Sequence, residues 1–312
     1  MHKKPATTLD FWAFRSKSDP EALKNMVGAI YRQQSGLKID FTDSGSGWQG
    51  YDRKLVINAG GATFGILAFG GEHQLGWSYV GLTGRGCEWL GDIDQAHAYA
   101  SQADKYQLRR VDIALTVKDG SVGHEDVLNA YENGGFQLSG RPPKIKQILP
   151  GDPIDGRTIY VGNRQRDKFF RAYEKGFEMM KNIPPEFRSM ATTLDGVPAR
   201  DIYRLELELK PKTCPLPEDI IENRDQYFSG AYPYLQSVLD VEPQIMQIRR
   251  ETGPMLDLET ALDLIRHQYG NTLYTALTAY KGDVSKLMGK ILGSRHNAAM
   301  LEAGVLLVDY DD

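Results

Sequence analysis

The chain has 312 residues, 41% of them hydrophobic and 25% charged, with a formal net charge of −4; this is the composition of a globular protein with room for one large or two modest domains. No apolar run approaches the roughly 20 residues needed to cross a bilayer, and the amino-terminal stretch MHKKPATTLDFW lacks the apolar core of a signal peptide, so a cytoplasmic protein with no membrane partner is expected. Cys87 and Cys214 are too few for a disulfide framework or a zinc cage, and the acidic balance excludes a surface that is basic all over.

In chain order, Thr8 to Phe14 (TLDFWAF) has the alternation of a half-buried strand. Asp19 and Pro20 then start a helix whose apolar positions are Leu23, Met26, Val27 and Ile30. Gly45, Gly47 and Gly50 mark turns around Trp48 and Tyr51, and the runs Lys54 to Asn58, Ala62 to Phe69 and Gly76 to Leu82 predict an antiparallel meander with tight hairpins. The segment GLTGRGCEWL, Gly81 to Leu90, ends a strand in a tight loop. Two roles fit it: a turn into a helix, or a loop whose amides approach a phosphate. Ile93 to Lys105 should be the following helix, with His97 a packed or exposed side chain rather than a ligand.

Leu108 to Val117 (LRRVDIALTV) places Arg109, Val111, Ile113, Leu115 and Val117 on one strand face and Arg110, Asp112 and Thr116 on the other. The Arg110–Asp112 neighbourhood reads either as part of a site or as an ion pair on a solvated sheet. A helix is expected from Ser121 to Asn133, then a loop from Arg141 to Ile154. Two strands follow, Thr158 to Gly162 and Lys168 to Glu174, joined by a cationic turn at Asn163 to Asp167. Phe169, Arg171 and Tyr173 share a face, and Arg164, Arg166, Lys168 and Lys175 surround them. This is a setting for a phosphodiester; it equally suits a solvated hairpin in which Tyr173 caps a core. From Arg141 to Lys175 nine Arg or Lys face four Asp or Glu, a local balance of +5 that can steer a polyanion. Asp201 to Lys210 (DIYRLELELK) alternates strictly, with Arg204, Glu206, Glu208 and Lys210 on the polar face, the usual pattern of an amphipathic strand. From Pro217 onward helical stretches predominate: Leu216 to Arg224, Tyr232 to Leu239, Leu256 to Gln268, Thr272 to Tyr280 and Val284 to Leu292. The expected organisation is an α+β domain over residues 1–212 with an antiparallel sheet core, then a helical subdomain over 213–312 for dimerisation, partner contact or recognition of a nucleic-acid site. No internal repeat is legible.

Taken together, TIYVGNRQRDKFFRAYEKGFE (Thr158 to Glu178) resembles the signature of the phage and plasmid replication initiation factor family, which includes rolling-circle replication initiators and initiators of filamentous phages. The family pattern, Tyr-x-Gly-(Ser/Asn)-Arg and then Arg-x-Tyr-(Asp/Asn)-Lys-x-x-x-Glu, falls on Tyr160, Gly162, Asn163, Arg164, Arg171, Tyr173, Lys175 and Glu178, with Glu174 replacing the usual Asp or Asn. Thr8 to Phe14 is similar to the family's Ile-Asp-Trp-Leu opening, and Gly81 to Leu90 to its Leu-Ser-Gly-Gln-Gly-Cys segment, with Thr83 for Ser and Arg85 for Gln. Arg110 to Ala114 follows an Arg-x-Asp-(Leu/Ile)-Ala-x-Asp pattern, except that Thr116 stands where the second acid is expected. Arg204, Leu205 and Glu206 follow an Arg-x-Glu-Leu pattern.

The resemblance implies a saddle of two related antiparallel sheets with flanking helices, and a tyrosine nickase. Tyr173 is then the nucleophile, helped by Arg171 and Lys175. Asp112 and Glu206, with Glu208 beside them, would hold Mg²⁺ or Mn²⁺ through oxygen ligands. Arg164, Arg166, Lys168, Arg110 and Arg204 would contact origin DNA, single-stranded or extruded from a duplex. The products would be a 5′-phosphotyrosyl link and a free 3′ hydroxyl that primes a host polymerase, with a host helicase and a second copy of the chain as further partners. The alternative is a non-catalytic member that binds origin or operator DNA. No His-hydrophobic-His pair, P-loop or Gly-x-Ser-x-Gly occurs in the sequence, which leaves other nickase, helicase and serine-hydrolase chemistries without a motif.

Overall fold

Period-two alternation decides the architecture, because each strand must bury one face and expose the other. A computed structural model describes residues 6–246 and 258–297, apart from 139, 152–154, 182, 185, 188–190, 194–195 and 213. Its strands are β1 (Thr8–Ser16), β2 (Asp40–Asp43), β3 (Arg53–Ala59), β4 (Ala62–Phe69), β5 (Ser78–Thr83), β6 (Gln107–Val117), β7 (Ile145–Ile148), β8 (Thr158–Gly162), β9 (Lys168–Tyr173) and β10 (Tyr203–Leu209). They form a single antiparallel sheet in the order β2-β3-β4-β5-β1-β6-β10-β9-β8-β7. The fold is thus α+β as expected, with one ten-stranded sheet in place of two.

The expected relation between halves survives inside that sheet. Outward from the centre one half runs β1, β5, β4, β3, β2 and the other β6, β10, β9, β8, β7. Each half is a central strand, a helix, and a four-strand meander whose last strand returns beside the first. The halves join where β1 pairs with β6, from Thr8↔Ala114 to Arg15↔Gln107. This is a repeat of topology that leaves no trace in the residues.

Helices cover one face of the sheet. They are α1 (Pro20–Ser35) and α3 (Ile93–Ala100) in the first half, α4 (His124–Glu132) in the second, then α6 (Arg224–Ser229) and α7 (Pro233–Val238). Leu23, Val27 and Ile30 of α1, Val127 of α4 and Phe228 of α6 share a core with Trp12, Val111, Ile113, Phe170 and Leu207 of the strands. The start of α1 follows its sequence signals: the Asp19 carboxylate accepts the N–H groups of Glu21 and Ala22, and Pro20 sits in the first turn. α3 stops five residues before the expected Lys105.

Two register shifts break the simple alternation of β1 against β6. Between Ala13 and Phe14 the pairing skips from Arg110 to Leu108, so Leu108 turns into the core and Arg109 is freed from the buried face assigned to it by alternation. The second shift lies between Leu9 and Phe11, at Asp10.

By contact the chain divides into Met1–Gln247 and Ile248–Asp312. The first unit extends past the boundary expected at 212/213, because Ile220, Ile221, Tyr227, Phe228 and Leu235 complete its core. In the second unit α8 (Leu258–Ala279) runs unbroken through Gly270, where an interruption was expected, and α9 (Val284–Ile291) begins at an Asp283 cap that accepts from the N–H of Lys286. A lone glycine costs a helix only about 1 kcal/mol, which neighbouring residues of good propensity offset. The expected start at Leu256 lies outside the described residues.

Phe170 is fully buried against Phe136, with ring centroids 5.0 Å apart. Phe170→Ala should cost about 3–5 kcal/mol of stability, read as a lowered urea midpoint with the far-ultraviolet spectrum retained at zero denaturant.

Candidate active site

The other face carries a polar cleft of about 210 Å³ at the sheet centre, lined by Asp10, Arg110, Asp112, Arg171, Glu206 and Glu208, with Phe11, Thr83, Gly84, Arg164 and Phe169 completing the wall. β6 contributes Arg110 and Asp112, β10 contributes Glu206 and Glu208, and β9 contributes Arg171. Antiparallel register aligns them: Glu208 pairs with Asp112, and Glu206 lies between Ala114 and Arg171. Asp10 was not foreseen as a site residue. It reaches the cleft from the β1 register shift, a feature that alternation cannot reveal. Gly84, at the start of α2 (Gly84–Glu88), permits this approach, since a Cβ there would stand 2.8 Å from Asp10 Oδ1. The Gly81 to Leu90 segment proves to be the turn into a helix, with the Thr83 hydroxyl accepting the Gly86 N–H.

Buried carboxylates demand partners, and each has a cation. Arg110 forks onto Asp112, Nε to Oδ1 at 2.8 Å and Nη2 to Oδ2 at 2.5 Å, and its Nη2 also reaches Glu208 Oε2 at 2.9 Å. Arg171 donates to Glu206 Oε2 from Nε at 2.8 Å and from Nη2 at 2.5 Å. The free Glu206 oxygen, Oε1, accepts the Tyr173 hydroxyl at 2.8 Å. Arg164 Nε stands 3.4 Å from Glu208 Oε2, and Lys210 pairs with the other Glu208 oxygen. Arg204 donates to Thr116 Oγ1 at 3.0 Å and to Asp10 Oδ1 at 2.9 Å. Thr116, in the place of an acid, therefore meets the same guanidinium that Asp10 neutralises.

Burial dominates the proton affinities. It pushes Asp112 up to about 6 against the pull of Arg110, with Glu208 and Glu206 adding repulsion. It raises Glu206 as well, although Arg171 opposes it. The Tyr173 phenol rises above its ordinary range through burial and then through the Glu206 charge, so it stands as a proton donor to that carboxylate. Arg171 lies 4.6 Å from the Tyr173 ring centroid; Lys175 lies 5.8 Å away and pairs with Glu178 at 3.1 Å.

The expected DNA contacts separate into three groups. Arg110 and Arg164 border the cleft, and Arg166 is exposed on the hairpin turn. Arg204 is turned inward, its side chain 14% exposed and held by Thr116 and Asp10, so it braces the site and does not face solvent. Lys168 points to the helix side. Its Nζ donates to the Ala231 carbonyl at 2.5 Å and lies 4.0 Å over the Tyr232 ring, because alternation in β9 puts it on the face of Phe170. Neither side chain lines the cleft.

Residues 106–259 match the model of the replication initiation factor family. That span, just under half of the chain, is similar to this family. It contains β6, β9 and β10, and with them Asp112, Arg171, Tyr173, Glu206 and Glu208. A solved structure, the rolling circle replication initiator protein from Geobacillus stearothermophilus, is similar in fold, with a TM-score of 0.51 at 17% sequence identity over 72% of this chain and 83% of that chain. No curated protein matches the sequence.

The donor chemistry of the cleft suits a hard divalent cation, since Asp10, Asp112, Glu206 and Glu208 offer only carboxylate oxygens. Burial raises Asp112 most, and the repulsion that Glu208 and Glu206 add is the part an added cation would relieve. Arginines fill that role in the present arrangement, and among the described residues no three His, Cys, Asp or Glu side chains stand together as a ready metal cage.

The buried position of Lys168 gives stability a measurable pH dependence. Burial depresses Lys168 to about 8, so between about pH 8 and pH 10 the unfolded chain binds more protons than the folded one and stability rises with pH. Urea titrations of the wild type should show a rise of at most about 3 kcal/mol across that window, and Lys168→Met should lack it.

Proposed function

We propose that the chain is a rolling-circle replication initiator that nicks origin DNA with Tyr173. The observation that carries this reading is the Tyr173 hydroxyl, set 2.8 Å from Glu206 at the edge of a cleft that gathers acids and arginines from β1, β6, β9 and β10. The family match and the fold likeness support it.

A free phenol with pKa near 10 is about 0.1% ionised at pH 7, and ionising it in advance of reaction costs roughly 4 kcal/mol. Burial makes this worse for Tyr173, so loss of the proton belongs with the attack itself. Glu206 Oε1 already accepts the hydroxyl hydrogen and takes the proton as the Tyr173 oxygen bonds to phosphorus. The bond from phosphorus to the 3′ oxygen breaks, that oxygen leaves as a 3′ hydroxyl after protonation, and the 5′ phosphate stays on Tyr173. Because one phosphoester replaces another, rejoining needs no nucleotide cofactor. Arg171 and Arg110 are placed to exchange a carboxylate for the phosphate oxygens, and Arg164 approaches from the exposed turn. Exchange at Arg171 also opens the way to the hydroxyl, since Arg171 and Tyr173 share Glu206. Asp112, Glu206 and Glu208 are the residues that would hold Mg²⁺ or Mn²⁺, which when bound polarises the scissile phosphate. The 3′ hydroxyl would prime a host polymerase, with a host helicase opening the duplex and a second copy of the chain as the other partner.

The neutralisation of every cleft acid also favours a second reading, a family member that binds origin DNA without cutting it. The two part in one experiment on a supercoiled plasmid carrying the origin, with Mg²⁺ or Mn²⁺ present. For the nickase, the wild type should relax the plasmid and remain covalently attached. Tyr173→Phe should lose both by more than about 10³-fold, and Glu206→Gln should lose about 10²–10⁴-fold. Undiminished cutting by Tyr173→Phe removes Tyr173 as nucleophile; a gel shift with no relaxation in the wild type establishes the binding protein.

A further inference from the structure

The half of the sheet that does not hold Tyr173 has the same strand order, so β1 and β5 stand in it where β6 and β10 stand in the other. Its face carries different chemistry. The β6–β10 pair presents Thr116 opposite Arg204 and Ala114 opposite Glu206. The β1–β5 pair presents Arg15 opposite Tyr79 and Ala13 opposite Gly81, with no acid at either place. Around it the Arg15 guanidinium lies 4.1 Å from the Trp77 ring centroid and Lys17 Nζ lies 5.6 Å from it. Trp48 packs on Tyr79 at 4.7 Å. Arg109, released by the β-bulge, adds its charge close to Arg15 and Tyr51. Both tryptophans keep part of their surface in solvent.

The cations of this patch differ from those of the cleft. Arg110, Arg164, Arg171, Arg204 and Lys210 each meet a carboxylate, whereas among the described residues no ion pair engages Arg15, Lys17 or Arg109. Like charges left unpaired on an acidic protein favour a polyanion, and aromatic faces beside them favour unpaired bases, which a duplex does not offer. The patch adjoins the cleft on the same strand: Phe11, in the cleft wall, is four residues from Arg15, about 13 Å along β1.

We propose that the open face of the first half is a single-stranded DNA platform that holds the unpaired strand next to the nick site, with Trp77 and Trp48 stacking on bases and Arg15, Lys17 and Arg109 on phosphates. It deepens the reading of the cleft as a DNA site and rests on that reading for the continuity of the strand. A duplex, or no DNA at all, is the competing outcome.

The test is fluorescence anisotropy of a labelled oligothymidylate of about ten nucleotides with the full chain, since this probe contains no origin and needs no cutting. Trp77→Ala and Arg109→Ala should each weaken binding about tenfold, in line with base stacking worth about 1–3 kcal/mol, while Trp77→Phe and Arg109→Lys stay within about threefold. Arg109→Ala should also lower the slope of log affinity against log salt by about 0.7. Wild-type affinity in both alanine variants, with melting curves unchanged, overturns the platform. So does tighter binding of a hairpin duplex of equal length that the variants weaken equally. Failure of the cleft reading has a different signature, undiminished cutting by Tyr173→Phe, and leaves the anisotropy comparison intact.

Discussion

Four carboxylates facing one small space repel each other, and the centre of this sheet is arranged to cancel that repulsion. Antiparallel register sets Glu208 opposite Asp112, and a bulge adds Asp10 from a third strand. Each is met by a guanidinium or ammonium group carried on the same face. Removing one partner would leave a buried charge alone, which costs far more than the pair contributes to folding. The acids and their cations are therefore best treated as one object, in which a phosphate or a metal ion can enter only by exchange.

Tyr173 depends on that object for its position and for its proton. Its hydroxyl is fixed by the Glu206 oxygen that Arg171 leaves free, so the geometry of the proposed nucleophile follows from the charge balance beside it. Arg204 extends the balance one strand further by spanning Thr116 and Asp10. A hydroxyl can stand where an acid is expected because the negative charge comes from another strand.

The sequence made the strands and their faces legible wherever alternation was clean. β10 is the best case: Leu205, Leu207 and Leu209 go to the core, and Glu206 and Glu208 go to the cleft. The Arg171–Tyr173 spacing was readable on the same ground. Alternation failed at the two register shifts, which hid Asp10 and misplaced Arg109, because one extra residue reverses the face of everything near it. The place of Lys168 was illegible for another reason: charge suggested solvent, yet strand phase set it by Tyr232, where a carbonyl and an aromatic ring receive the ammonium group. The twofold repetition of the topology came from the family resemblance and not from any repeat in the residues, since backbone order can persist while side chains diverge.

The sheet ends at β2 and β7, the corresponding outermost strands of the two halves, and each is only four residues long. So short a border offers a neighbouring polypeptide few rungs of backbone pairing. Growth of the ladder from molecule to molecule is discouraged at both rims, and a second copy seeking a durable contact would have to find it through side chains elsewhere on the surface.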